Sequence, residues 1–322
     1  MTAPLGLLLA PGCSPAGSGD EGFDFSSDSN ATGTSTADSG DGEGSGTEAE
    51  PTGDSSTGTV DDDSSSDSST GELPPAEPCV SVDILFVVDD SEPMAEEQLR
   101  LQASALAFVQ AIQTAIPTLG EDLHIGVITT DDELMVQANA EPCGPYEGGD
   151  HWMISSSTVL ATELECALAV GVDGSPNERP MDMLIGALSD ENIAPGGYHN
   201  GFLREDALLV VVLATNEEDE FEMDTSWGSA GDPSDWVAAV AGRKGGWLGD
   251  VVVLSLLGTP APNACIAPWD GTEGAQPSPR LIEFTESFPQ GAVGDICQAD
   301  YSGFLQGVVP GVTAACAGYL PP

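Results

Sequence analysis

Apolar residues fall in two rhythms along the chain from residue 79 onward. "VDILFVV" (82–88), "DLHIGVITTD" (122–131), "DALLVVVLAT" (206–215) and "DVVVLSLLG" (250–258) are near-continuous β-branched or apolar runs. Such runs predict strands buried on both faces of a sheet. Between them the period changes. In 92–116, Met94, Leu101, Ala105, Phe108, Ile112 and Ile116 recur at spacings of mostly three and four, which predicts a helix with one apolar face. Pro93 suits its first turn and Pro117 ends it. Helices are predicted in the same way over 158–170, 180–189, 233–244, 278–288 and, despite Pro310, over 301–316. Strands alternating with helices imply an α/β domain: a doubly wound, mainly parallel sheet with helices on both faces and right-handed crossovers.

Upstream of residue 79 the pattern vanishes. Residues 14–78 are Ser, Gly, Thr, Asp and Glu with almost nothing apolar, and hold 16 of the 54 acidic residues and no Lys or Arg. A segment of that composition buries too little surface to offset its ordering entropy and is expected to be a disordered, self-repelling tether. Ahead of it, "PLGLLLAPGC" is a short apolar run ending at small residues and Cys13. It looks like a lipoprotein signal, with the Cys13 thiol as the lipidation site and a cleaved secretory signal as the alternative, although no basic residue precedes the run. The expected organisation is therefore 1–13 signal, 14–78 tether and 79–322 folded domain. The chain is expected to be exported to the cell envelope as a monomeric outer-membrane lipoprotein that touches the membrane only through its lipid.

Charge narrows the partners. The formal net charge is -48, with 6 Lys+Arg in the whole chain. Six scattered basic residues make no face able to neutralise phosphates, which excludes a nucleic-acid partner. Cations are the natural counterions of such a surface, and the preferred reading of the bulk of the charge is a solvated acidic surface, as a saline habitat would favour. The six cysteines after Cys13 are an even set in an exported domain, as expected of three disulfides. Their placement favours Cys79–Cys316 as a staple of the domain ends, with Cys143–Cys166 and Cys265–Cys297 each closing an insert. No CxxC motif points to a metal cluster instead. No GxGxxG follows the first strand and no GxxxxGK[ST] or GxSxG occurs, so nucleotide binding and serine hydrolysis have no motif support.

The first strand ends in "VVDDSEPMAEEQ". This stretch is similar to the opening of von Willebrand factor type A domains, in which a hydrophobic strand runs into Asp-x-Ser-x-Ser and then a helix. "DALLVVVLATNEEDEF" (206–221) looks like the fourth strand of that family and its acidic loop. The resemblance covers most of 79–316 and extends to predicted lipoproteins of myxobacteria, which place such a domain on an acidic low-complexity tether. It implies that the first and fourth strands lie side by side, and that their carboxyl ends form a metal-ion-dependent adhesion site for Mg²⁺ or a similar hard cation. Carried over residue by residue, the ligands would be Asp89, Ser91 and Asn216, with Glu217, Glu218 and Asp219 beside them and Ser175 in the place of the family's threonine. Pro93 stands where the second serine belongs, and Asn216 where an aspartate does. The site is therefore read as degenerate: Mg²⁺, a looser Ca²⁺ site, or no metal. Asp89 and Asp90 have an alternative role as caps of the following helix.

Three functions follow. The first is a non-enzymatic adhesion module docking a protein or glycan at the strand-end face. The second is a metal-independent structural or interaction domain of the envelope. The third is a metal-assisted hydrolase, for which the sequence offers carboxylates but no partner set for His124, His151 or His199. Trp227, Trp236, Trp247 and Trp269 are expected to serve core or loop packing, and an exposed pair among them would favour a carbohydrate or partner surface.

Overall fold

The computed structural model describes residues 78–119, 123–137, 143–148, 151–220, 227–265 and 274–320. Cys13, the 14–78 tether and Trp269 lie outside these residues. Six strands form one sheet in the order β3-β2-β1-β4-β5-β6. The strands are β1 (Ser81–Val88), β2 (His124–Thr129), β3 (Met153–Ile154), β4 (Ala207–Ala214), β5 (Val251–Leu257) and β6 (Ala292–Asp295). All neighbours are parallel except β2 and β3. The chain builds outward from β1 to β2 and β3, returns to β4 on the other flank of β1, and continues to β5 and β6. The order reverses between β1 and β4, which is a switch point of the kind where open α/β sheets bind ligands. The adjacency of β1 and β4 and the mainly parallel sheet match the expected fold class and are consistent with a type A domain.

The period-two alternation of the buried strands feeds two cores. Ile84, Phe86, Val210 and Val212 join the core under α1 (Ala95–Ala115), α2 (Leu160–Leu168) and α7 (Ser302–Ala317). Leu85, Val87, Leu209 and Val211 point the other way, into the core under α3 (Pro180–Ala187), α5 (Pro233–Gly242) and α6 (Pro279–Glu286). Every residue of β1, β4 and β5 is buried, as their unbroken apolar runs require. A short α4 (Asp190–Ile193) lies between α3 and β4. No helix among the described residues is long and apolar enough to cross a membrane.

All three expected disulfides are present: Cys79–Cys316, Cys143–Cys166 and Cys265–Cys297. The first joins the entry of β1 to the end of α7, where Cys79 N–H also donates to the Cys316 carbonyl at 2.8 Å.

One charged pair is buried in β1. Asp83 is fully buried and faces Arg204, whose Nη2 and Nε donate to Asp83 Oδ1 at 2.6 and 2.8 Å while its backbone N–H donates to Oδ2 at 2.7 Å. Burial still pushes the Asp83 carboxyl up to about 6, with the Arg204 charge pulling the other way.

Candidate functional site

Register brings three strand tips level. Val88 pairs with Thr129 of β2 and with Ala214 of β4, so the next residues, Asp89, Thr130 and Thr215, leave the sheet together. Asp89 is fully buried. Its Oδ1 accepts the Ser91 N–H at 2.8 Å and its Oδ2 accepts the Thr215 hydroxyl at 2.7 Å. Gln98 of α1 reaches back with Nε2 to the Asp89 carbonyl at 3.0 Å and the Gly171 carbonyl at 2.6 Å. The strand tip is thereby tied to the loop that leads into α3.

That loop crosses directly over Asp90. Gly174 N–H donates to the Asp90 carbonyl at 2.8 Å. A Cβ at Gly174 would sit 2.6 Å from that carbonyl oxygen, so this approach demands glycine. Ser175, the expected stand-in for the family's threonine, donates its N–H to Asp131 Oδ2, and its hydroxyl accepts the Asn177 N–H at 3.0 Å. The same crossing delivers Glu178, a residue that the sequence pattern does not single out. Glu178 is 3% exposed, and neither of its carboxyl oxygens makes a well-formed hydrogen bond.

Several buried polar atoms in this region are unmatched. Ser91 Oγ, both side-chain atoms of Asn216 and both Glu178 oxygens make no well-formed hydrogen bond, although the Ser91 hydroxyl lies close enough to Asp89, and the Thr130 hydroxyl to Glu178, to pull those carboxyls down against burial. Buried polar groups in folded proteins are overwhelmingly hydrogen-bonded, so such a set needs an explanation, an ion among them. The electrostatics agree. Burial raises the Asp89 carboxyl. Burial, then the charges of Asp131 and Asp89, push Asp90 up to about 6. Burial, then Asp89 and Glu220, push Glu217 up to about 7. Burial, then Asp89, push Glu178 up to about 10. Among the described residues no Lys or Arg pairs with any of these four. Apart from the Asn216 amide nitrogen these atoms are oxygens, which suits a hard cation rather than a thiolate or imidazole metal.

The structure separates the expected ligands into two groups. Asp89, Ser91, Asn216 and Glu217 belong to the strand-end cluster. Glu218 and Asp219 are engaged at helix starts instead. Glu218 accepts the Arg280 N–H at 2.8 Å and the Leu281 N–H at 3.4 Å, at the first turn of α6. Asp219 accepts the Met181 N–H at 3.2 Å, at the first turn of α3, and the Ser229 N–H at 2.6 Å. Both oppose the positive end of a helix dipole. The alternative role for Asp89 and Asp90 is corrected too. The 3-10 turn Glu92–Met94 and α1 both start without a side-chain cap, and Asp89 closes only the local turn to Ser91.

Among the described residues, three His, Cys, Asp or Glu ligand atoms come within 4.8 Å of one another only at Cys265, Asp295 and Cys297. The two thiols there are spent in a disulfide, so that group is no metal centre. The three histidines are held by hydrogen bonds and ring contacts, and His124 Nδ1 also lies 3.7 Å from Asp83 Oδ1. His199 Nε2 accepts the Met135 N–H at 2.9 Å, and its Nδ1 faces the Ala187 carbonyl at 2.9 Å. His124 stacks on Trp152 at 3.8 Å, and His151 lies 3.6 Å from the Tyr198 ring. Trp227 and Trp247 are exposed and Trp236 is buried. Gly228, next to Trp227, bonds Asn177 of the loop beside the strand ends at 2.7 Å, whereas Trp247 precedes the opposite end of β5.

No protein-family model matches the sequence. No curated protein matches it either. Among solved structures, proximal thread matrix protein 1 from the mussel byssus is similar in crystal form 2, with 14% identity, a TM-score of 0.39, and coverage of 74% of this chain and 49% of that one. The same mussel protein with a zinc-occupied MIDAS motif is similar at 11% identity and a TM-score of 0.39, with the same coverage. The chain thus spans about half the length of the mussel protein. At this distance no residue role is carried across.

Proposed function

We propose that residues 79–322 form a non-enzymatic binding module that holds a divalent cation at the carboxyl ends of β1 and β4 and docks a protein or glycan ligand there. The observation that carries this reading is the unpartnered, buried set of Ser91 Oγ and the Asn216 amide around a fully buried Asp89. Asp89, Ser91 and Asn216 would hold the cation through carboxylate, hydroxyl and amide oxygens, with Glu217 adding charge. A bound cation would supply an open coordination position for an oxygen of the partner. The rest of the site acts by positioning: Thr215 and the Ser91 N–H fix the Asp89 carboxylate, and Gln98 locks the strand tip to the loop above it. The proposed setting is an exported chain held at the cell envelope by a lipid on Cys13, with 14–78 giving the module reach.

Calorimetric titration of the full chain with Mg²⁺, Mn²⁺ and Ca²⁺ tests this. The expected result is one saturable site that disappears in Asp89→Ala, above the weak binding of the acidic tether, which both proteins share. Identical isotherms for the two proteins would leave the strand-end face without a cation, and the metal-independent interaction domain would take its place.

A further inference from the structure

We propose that Glu178 is itself a ligand of the strand-end cation, supplying from the loop before α3 the negative charge that Asn216 does not carry, and that it turns the site toward Ca²⁺. The inference rests on the cation-binding reading above and names a ligand and a metal preference for it.

The residues that resemble the type A motif form an incomplete set. Pro93 offers no hydroxyl, and Asn216 is neutral. Asp89 is then the one charged ligand that the motif supplies, with Glu217 nearby as further charge. Glu178 lies on a different element, seven residues beyond the Gly171 carbonyl that Gln98 holds. The Gly174 crossing over Asp90 fixes this loop against the strand tips. Glu178 is almost fully buried there, in the electrostatic reach of Asp89 and Glu217.

A carboxylate with no cation and no hydrogen bond is among the most costly groups to bury. It stays ionised in folded proteins when it coordinates a metal or when a neighbour compensates it, and otherwise takes up a proton. No Lys or Arg does so here among the described residues. Both Glu178 oxygens lack well-formed hydrogen bonds, so both are available to one ion. Ca²⁺ accepts bidentate carboxylates in a flexible shell of six to eight oxygens. Mg²⁺ demands a near-ideal octahedron and retains its waters. Two carboxylates, a hydroxyl and an amide from three separate segments suit the former.

Thermal unfolding and calorimetry on the full chain, wild type and Glu178→Gln, separate a ligand from a structural residue. With EDTA, Glu178→Gln is expected to melt at or above the wild-type temperature, because an unpaired buried acid is replaced by a neutral isostere. With added Ca²⁺ alone, wild type is expected to gain stability, and the variant to gain much less, its affinity falling at least roughly tenfold. Wild type is expected to prefer Ca²⁺ to Mg²⁺, and the variant to lose that preference. Three results overturn the proposal: equal Ca²⁺ affinity in the two proteins, a variant that melts well below wild type in EDTA, or a wild type that prefers Mg²⁺. A wild type that binds no cation overturns both this inference and the reading beneath it. Binding that Asp89→Ala abolishes and Glu178→Gln leaves intact overturns this inference alone.

Discussion

The double substitution Cys79→Ser, Cys316→Ser is expected to destabilise the domain by about 5 kcal/mol, more than the loss of either other disulfide. The bond spans a sequence separation of 237 residues, against 23 for Cys143–Cys166 and 32 for Cys265–Cys297. In the chain-entropy model a cross-link stabilises by restricting the unfolded ensemble, and the effect grows with the logarithm of the loop it closes. The same model gives about 3 kcal/mol for the Cys143–Cys166 closure. Location reinforces the ranking. Cys79 and Cys316 are both buried in the core beneath α1 and α7, at the point where the domain begins and ends. For a domain of this size the loss corresponds to a fall in Tm of roughly 10–20 °C. Denaturant unfolding of the three double-serine variants checks the order. Equal losses in all three would show that local packing, rather than loop closure, sets the contribution of each bond.

Arg204→Ala is expected to cost about 3–5 kcal/mol, because it strands a fully buried carboxylate. Asp83 takes three hydrogen bonds from Arg204, two from the guanidinium and one from the backbone. The backbone bond survives the substitution, and the His124 ring remains with its Nδ1 3.7 Å from Asp83 Oδ1. Lys244 lies near enough to lower the Asp83 pKa, yet its ammonium is committed to the Arg204 and Glu205 carbonyls at 2.8 and 2.9 Å. The sign of the pH dependence follows. Asp83 already sits at about 6 in the folded chain, above the 3.8 of an ordinary aspartate. Its contribution to stability is present below the ordinary value and is lost as pH rises through about 6. Without Arg204 the folded value climbs further, so the penalty of the variant grows with pH and is larger at pH 8 than at pH 5. The double variant Asp83→Leu, Arg204→Met is expected to recover much of the loss, since apolar residues of similar volume often replace a buried ion pair at little cost. Chemical denaturation at the two pH values measures both effects. A penalty independent of pH would show that Arg204 acts through packing alone.

The frame of the fold was legible because its central strands are buried on both faces. β1, β4 and β5 are written as unbroken apolar runs, and the helices that cover them keep a period of three to four. The edges were not legible, for the same reason. β3 has two residues, and β6, "AVGD", is only half buried, so neither leaves a run or an alternation to read. The resemblance placed Asp89, Ser91 and Asn216 at one strand end, and the register of β1 with β4 puts them there. The capping roles of Glu218 and Asp219 were hidden because their helix partners lie 62 and 38 residues away in sequence. Glu178 was hidden more deeply. A single Glu in "GSPNERP" reads as a solvated loop residue, and its burial arises only when Gly174 lets the loop close on Asp90. A glycine that is required for a close approach would have been the one local signal.

A cation at the ends of β1 and β4 is located most directly in crystals of the chain grown with Mn²⁺. An anomalous difference peak among the side chains of Asp89, Ser91 and Asn216 is the predicted result. Manganese density confined to surface carboxylates, with the strand-end cluster empty at saturating Mn²⁺, would contradict it.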